Sequence, residues 1–304
     1  MIAKRSKSVQ IGSLTLANPV MPASGAFGPE MHEVMDFNEL GALVPKSITK
    51  DPRPGNKTPR VCETSGGMIN SIGIQSKGLP YYIEHVLPEY GTYRAPLISS
   101  VSADSIEEFC EMSEILGSHK DVDAIELNIS CPNLKGDGLA FGMDADVTYD
   151  LMKRVRKVTD VPLIAKLTPN VTSIQDIAIA AEKGGADALT VANTLLAMSI
   201  DTETRKPRIG NVMGGLSGPA VKPIIVRMIY QTAQVTSIPI IGCGGIMNGK
   251  DALEMIIAGA SAVQIGTGSF IQPTMMIDVL SDINDYMEKH DIENINDLVG
   301  SIQL

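Results

Sequence analysis

Short, β-rich apolar runs alternate with longer amphipathic stretches along most of the chain, and that alternation predicts an α/β fold. The apolar runs stand at residues 20–23, 42–47, 97–101, 124–128, 163–166, 188–193, 239–242 and 262–266. A faint internal echo supports repetition. Gly185-Ala186-Asp187-Ala188-Leu189 and Gly259-Ala260-Ser261-Ala262-Val263 share one pattern of helix end, tight turn and next strand. Eight strand–helix units joined by right-handed crossovers close into a parallel (β/α)8 barrel. An open doubly wound sheet is the rival, but nothing in the 304 residues marks a second domain. The expectation is one barrel domain over residues 1–304.

The helical stretches carry their own signals. Ser105-Ile106-Glu107-Glu108 opens one, with Ser105 or Asp104 as cap and acids in the first turn, where they suit the helix dipole. Residues 146–158 form another, with Val147, Leu151 and Val155 spaced four apart on one face. A third, at 174–183, stops at Gly184-Gly185. Two more run over 221–233, after Pro219, and over 250–258, ending at Gly259.

Two stretches break the alternation. Residues 53–76 are long and rich in glycine and proline at the start, which fits a strand pair or an ordered loop after the second strand. Residues 193–218 follow the sixth strand and are rich in Thr, Gly and Arg. In a barrel both lie on the carboxyl-terminal face, where active sites sit, and long ordered loops are uncommon unless functional.

Composition narrows the function. Hydrophobic residues are 44% and charged residues 20%, as in an ordinary globular chain. The net charge of −10, with no basic cluster longer than Lys4-Arg5-Ser6-Lys7, argues against nucleic acid as a partner. No apolar run approaches the roughly 20 residues of a membrane span, and the amino terminus lacks the apolar core of a signal peptide. Cys62, Cys110, Cys131 and Cys243 lie far apart without metal-ligand spacing. Free thiols of this kind fit a cytoplasmic chain.

Most of the predicted strands end in polar or glycine residues. The first gives Ala23-Ser24-Gly25, the second Lys46-Ser47 and the fourth Asn128-Ile129-Ser130-Cys131-Pro132-Asn133. The fifth gives Lys166, the sixth Asn193-Thr194, the seventh Gly244-Gly245 and the eighth Gly266-Thr267-Gly268. Glycines after the last two strands suit a phosphate, because backbone N–H groups can reach it unobstructed. Lys46 and Lys166, each at the end of an apolar strand, are costly to bury without an anion or strong acceptor and together suit an anionic ligand. Asn70, Asn128, Asn133 and Asn193 offer donors and acceptors to a planar, amide-rich ligand. Cys131 has no histidine near it in sequence, which disfavours a Cys/His hydrolase. A thiol of pKa roughly 8.5 can instead act as a general base.

The segment Glu126-Leu127-Asn128-Ile129-Ser130-Cys131-Pro132-Asn133-Leu134-Lys135, with Phe141-Gly142, resembles the class 1 dihydroorotate dehydrogenases, most closely the catalytic subunit of the NAD-linked class 1B. Asn70-Ser71-Ile72-Gly73 and Gly214-Gly215-Leu216-Ser217-Gly218 extend the likeness, which covers nearly the whole chain. The resemblance implies a TIM barrel that binds FMN and oxidises dihydroorotate to orotate in pyrimidine (UMP) biosynthesis. It places the FMN phosphate at Gly244, Gly245, Gly266 and Thr267, and Lys166 at the pyrimidine edge of the flavin. Further flavin contacts would come from Ala23, Ser24, Lys46, Ser47 and Ser100, and from Asn128, Ala192 and Gly218. The substrate would be held by Lys46, Asn70, Ser71, Ile72, Gly73 and Ile74, and by Asn128, Asn133, Asn193 and Thr194. Cys131 would remove the C5 proton. Ser100 departs from the family pattern, which has asparagine after the third strand.

Class 1B subunits work with a second protein that carries FAD and a 2Fe–2S cluster and passes electrons to NAD. The cysteine spacing here cannot hold such a cluster, so the resemblance puts it in a partner, in a heterotetramer with a homodimeric core. The fumarate-linked class 1A enzymes and dihydropyrimidine dehydrogenase-like flavoproteins are the alternatives within enzymes. A barrel that binds a phosphorylated ligand without catalysis is the alternative outside them.

Overall fold

The computed structural model describes residues 5–130 and 141–304. Seven parallel strands form its central sheet, in the order Val20–Pro22, Ala262–Ile265, Ile240–Cys243, Ala188–Val191, Leu163–Lys166, Ala124–Asn128, Ile98–Val101. Each coincides with one of the predicted runs. The eighth run, residues 42–47, closes the ring. Gly41 N–H donates to the Val20 carbonyl at 2.8 Å on one side. On the other side Leu43 bridges Leu97 and Ile48 bridges Val101, both in parallel. Between those bridges the ladder is interrupted, for Pro45 has no N–H to donate. The result is the predicted barrel, with its second staves held at two points rather than along a continuous ladder.

Helices surround the sheet. Ile106–Gly117, Ala145–Arg156, Ile174–Lys183, Lys222–Ala233, Gly249–Ala258 and Met275–Lys289 follow strands three to eight. The predicted cap is in place, as Ser105 accepts from the Glu108 N–H at 3.1 Å. The first unit departs from a regular strand–helix pair. Two short 3-10 turns, Pro29–Glu33 and Phe37–Glu39, stand in place of an α-helix, with Asp36 capping the second. An amino-terminal hairpin, Val9–Ile11 with Leu14–Leu16, was not anticipated; it packs Ile11 and Leu16 into the core.

In the helix Ala145–Arg156 the buried face is Thr148, Leu151, Met152 and Val155. Val147 does not belong to it and is 37% exposed. It sits in the first turn, where Asp144 caps its N–H at 3.0 Å, and the helix turns its side chain outward.

The two long insertions meet in one antiparallel sheet. Val61–Thr64 and Gly67–Asn70 make a hairpin after the second strand, as one of the two sequence-based expectations had it. Leu195–Met198 and Met213–Ser217 come from the insertion after the sixth strand. The halves join through Leu216 opposite Ile69 and Gly215 opposite Asn70. Gly67 permits that approach, because a Cβ there would lie 1.9 Å from the Ser217 carbonyl oxygen. A small core of Cys62, Ile69 and Ile209 supports this sheet apart from the main one.

The helix face fixes an energetic contrast. Leu151→Ala should cost about 2–5 kcal/mol, the usual range for a fully buried leucine. Val147→Ala should cost about 0.5 kcal/mol or less, as for a surface site. Urea unfolding of the two variants measures both. Equal costs would show that the helix is rotated from the position described.

Candidate active site

Polar residues gather at the carboxyl-terminal ends of the barrel strands. Asn128 ends the fourth strand and Asn193 follows the sixth. The Asn193 Nδ2 donates to Asn128 Oδ1 at 3.2 Å, and Ser130 Oγ donates to the same oxygen at 2.6 Å. Asn193 also hydrogen-bonds Ser130 directly. Its own Oδ1 accepts from the Thr194 N–H at 2.8 Å, so the turn after the sixth strand is built around this side chain. Ala192 is buried, with its N–H donating to the Cys243 carbonyl at 3.1 Å. Thr194 lies against Gly215 of the inserted sheet, where a Cβ would meet Thr194 Oγ1 at 1.9 Å. Asn70, on the same sheet, donates to the Gly215 carbonyl at 3.4 Å.

Asn170 is a supporting residue that the sequence reading missed. Its side chain donates to the Thr194 carbonyl at 3.1 Å and accepts from the Leu196 N–H at 2.8 Å. Asn56 does the same for residues 71–74. It donates to Ser71 Oγ at 2.8 Å, and its N–H donates to the Ile72 carbonyl at 2.9 Å. Gly73 and Ile74 both have positive φ there, 73° and 48°. An asparagine in a loop has no sequence signal that distinguishes such a brace from ordinary turn chemistry.

Beneath the amides the barrel interior is polar. Ser24 Oγ and Ser47 Oγ lie 2.8 Å apart, and Ser47 Oγ and Ser100 Oγ 2.9 Å apart. Ser100 Oγ donates to Glu126 Oε1 at 3.2 Å. Ser100 thereby joins the first three strands to the fourth. Lys166 is 5% exposed and Glu126 is fully buried. Their Nζ and Oε1 stand 3.4 Å apart, and Gln264 Oε1 accepts from Lys166 at 2.9 Å. The anion and the strong acceptor that such a lysine needs are both internal, and Glu126, which the sequence shows only as one acid in an apolar run, is the residue missed. Lys46 reaches across the first strand end, since a Cβ on Gly25 would meet its Nζ at 3.4 Å.

The glycines after the last strands are accounted for sterically. A Cβ at Gly245 would lie 2.8 Å from the Lys222 backbone nitrogen and 2.9 Å from the Gly218 carbonyl oxygen. Gly266 is different: a Cβ there would meet only Ala23 Cβ, at 3.5 Å. Little therefore packs against its α-carbon. Thr267 Oγ1 donates to Ser217 Oγ at 2.8 Å, which ties this turn to the inserted sheet. Cys131 and Asn133 lie outside the described residues. Among the described residues no group of His, Cys, Asp and Glu is arranged to hold a metal ion, and no helix is long and apolar enough to cross a membrane.

Comparison with known proteins fits this geometry. Residues 6–287 match the family model for dihydroorotate dehydrogenase. The chain is 48% identical to the dihydroorotate dehydrogenase B (NAD(+)) catalytic subunit of Alkaliphilus metalliredigens, over 99% of this chain and 100% of the relative. Proteins of the same description from Caldicellulosiruptor saccharolyticus and Phocaeicola vulgatus are 47% and 45% identical. They align over 97% and 98% of this chain, and over 99% of each relative.

Cys243, one residue before the glycine pair, sets a pH dependence. Burial pushes its thiol up from the ordinary range, with the nearby Lys166 charge opposing. A thiol harder to ionise in the folded chain stabilises it fully below the unfolded thiol's pKa of about 8.5, and the contribution is lost as pH rises above that value. The urea midpoint should fall between about pH 7.5 and about pH 9.5, and Cys243→Ala should fall less steeply. Parallel slopes would remove Cys243 as the source.

Proposed function

The chain belongs to the dihydroorotate dehydrogenase family, and on that premise we propose that it is a class 1B catalytic subunit, oxidising dihydroorotate to orotate with Cys131 as the base. The family is flavin-dependent. The observation that carries the reading is the convergence of Asn128, Asn193 and Lys166 at one end of the barrel, beside the serine series from Ser24 to Ser100. That arrangement offers amide donors and acceptors that a planar pyrimidine would use, above a buried ammonium that would serve the flavin.

The residues fit FMN. The uncrowded Gly266, together with Gly244, Gly245 and Thr267, would take its phosphate, with Gly218 close by. Ala23, Ser24, Lys46, Ser47, Ser100, Asn128, Lys166 and Ala192 would line the flavin. When bound, FMN supplies the acceptor for the hydride that leaves C6 of the substrate. Cys131 takes the proton from C5. Asn128, Asn133, Asn193 and Thr194 orient the ring from the barrel side, and Asn70 through Ile74 cover it from the inserted sheet, with Lys46 between the two ligands. A main core continuous around the barrel supports one domain over the chain.

Electrons would leave through a separate subunit that carries FAD and a 2Fe–2S cluster, with NAD+ as final acceptor, in a heterotetramer built on a homodimer of this chain. The proposed place of work is the cytoplasm.

Anaerobic titration of the purified chain with dihydroorotate, followed at the flavin absorbance band, tests cofactor, substrate and reaction together. Bleaching by dihydrouracil and not by dihydroorotate would overturn the substrate. Turnover with fumarate by the isolated chain would favour class 1A. Cys131→Ala should keep its flavin and lose flavin bleaching by about 10²–10⁴-fold, the usual contribution of a general base. Cys131→Ser should retain a small activity that rises with pH, as a hydroxyl is a far weaker acid than a thiol. An unchanged single-turnover rate in Cys131→Ala would sink the assignment.

A further inference from the structure

The proposed reaction leaves Glu126 without a task, yet it is the most heavily bonded side chain near the site. Its carboxylate is fully buried. Oε1 accepts from Ser100 Oγ at 3.2 Å and faces Lys166 Nζ at 3.4 Å. Oε2 accepts from Thr190 Oγ1 at 3.1 Å and from Gln264 Nε2 at 2.7 Å. An ionised carboxylate is acceptor-only, with about four lone-pair positions, and four donors fill them. They come from the third, fifth, sixth and eighth strands around the fourth, so the whole interior is arranged about one negative charge.

Gln264 makes the arrangement directional. Its Nε2 donates to Glu126 while its Oε1 accepts from Lys166. The amide therefore bridges the two charged groups. By register, Lys166 is the cross-strand partner of Asn128 on one side and of Thr190 on the other. The Lys166 backbone thus lies beside that of Asn128, whose side chain belongs to the amide cluster at the mouth.

We propose that Glu126 is a positioning residue for the reaction: its buried carboxylate keeps Lys166 charged and in place at the barrel mouth before any ligand arrives. The inference rests on the reading that Lys166 serves the flavin. Without Glu126 the ammonium would be buried with no counter-charge, and such a group sheds its proton rather than stay charged. A glutamine at 126 would encourage this, since its amide N–H can donate to a neutral amine. Among the described residues, two titratable groups bear on Lys166, Glu126 on the fourth strand and Cys243 on the seventh. Burial alone would pull the lysine down, and the attraction of Glu126 leads the influences that carry it above its ordinary value. Cys243 also raises Lys166, less than Glu126 does, while burial pushes its own thiol up. Ser100, Thr190 and Gln264 remain uncharged.

The test compares wild type, Glu126→Gln and Glu126→Asp, each with FMN bound, by the rate of anaerobic flavin bleaching on dihydroorotate from about pH 6 to about pH 10. In Glu126→Gln the rate should gain a new alkaline limb, falling about tenfold per pH unit as one required proton is lost. Glu126→Asp, which keeps the charge, should lack that limb. In protein labelled with 13C at lysine Cε, the Lys166 signal, assigned by its loss in Lys166→Arg, should titrate at lower pH in Glu126→Gln than in wild type. Coincident pH profiles with an unmoved Cε titration would overturn the role of Glu126. Wild type that carries no flavin, or is not bleached, would overturn the functional reading instead, and the Cε titration would still decide the coupling. Should Glu126→Gln not fold, adding Lys166→Met should restore the fold by removing the lone charge. A double variant that also fails would overturn the pairing.

Discussion

A carboxylate facing an ammonium inside a parallel barrel constrains everything built above it. Each charge alone would cost several kcal/mol to bury, and only close pairing with full hydrogen bonding offsets that cost. Glu126 and Lys166 come from neighbouring strands, with Asn128 and Lys166 as cross-strand partners. A slip of one residue would turn one member toward the helices. The charge pair thus favours a single register for the fourth and fifth strands. That register sets Asn128 beside Lys166, and through Asn128 it locates Ser130 and Asn193. The chemistry at the mouth and the packing below it share one cause.

The upper half of the site depends on a second joint. Strands from two insertions, more than a hundred residues apart in sequence, pair through Leu216 with Ile69. That pairing carries Asn70 and the turn after it over the barrel mouth, and it places Thr194 against Gly215. The Ser217 carbonyl crowds Gly67 and the Thr194 side chain crowds Gly215. A side chain at Gly67 would push the two halves of the inserted sheet apart, and one at Gly215 would displace Thr194.

The strands were legible because each is a short apolar run between turn residues, and all eight runs became staves of the barrel. The sequence did not show that the second would be held at only two bridges. Pro45 was in plain view, but its effect depends on which partner's carbonyl faces it. Val147 matched the spacing of Leu151 and Val155, yet steps of four drift by about 40° on a helix of 3.6 residues per turn, which leaves Val147 at the edge of the buried face. Glu126 was hidden for a different reason. An acid in an apolar run has no pattern of its own, and its partners Lys166, Thr190 and Gln264 lie 40, 64 and 138 residues away. Asn56 and Asn170 were unreadable in the same way, as loop asparagines whose partners are backbone groups of other segments. The site as a set was legible through family resemblance to a motif, and for Cys131 and Asn133 that motif remains the basis of the assignment.

The interrupted second stave has a consequence for how this protein can change. Ser47 N–H finds no partner in a regular ladder and donates instead to Ser24 Oγ, at 2.9 Å. A side chain of the first strand thus completes the ring where backbone does so elsewhere. Ser24 is also one of the residues proposed to line the flavin. On that proposal two demands, for an intact ring and for a ligand contact, fall on a single hydroxyl. Drift at that position is penalised twice, and a lineage that altered its cofactor contact there would first have to mend its seam.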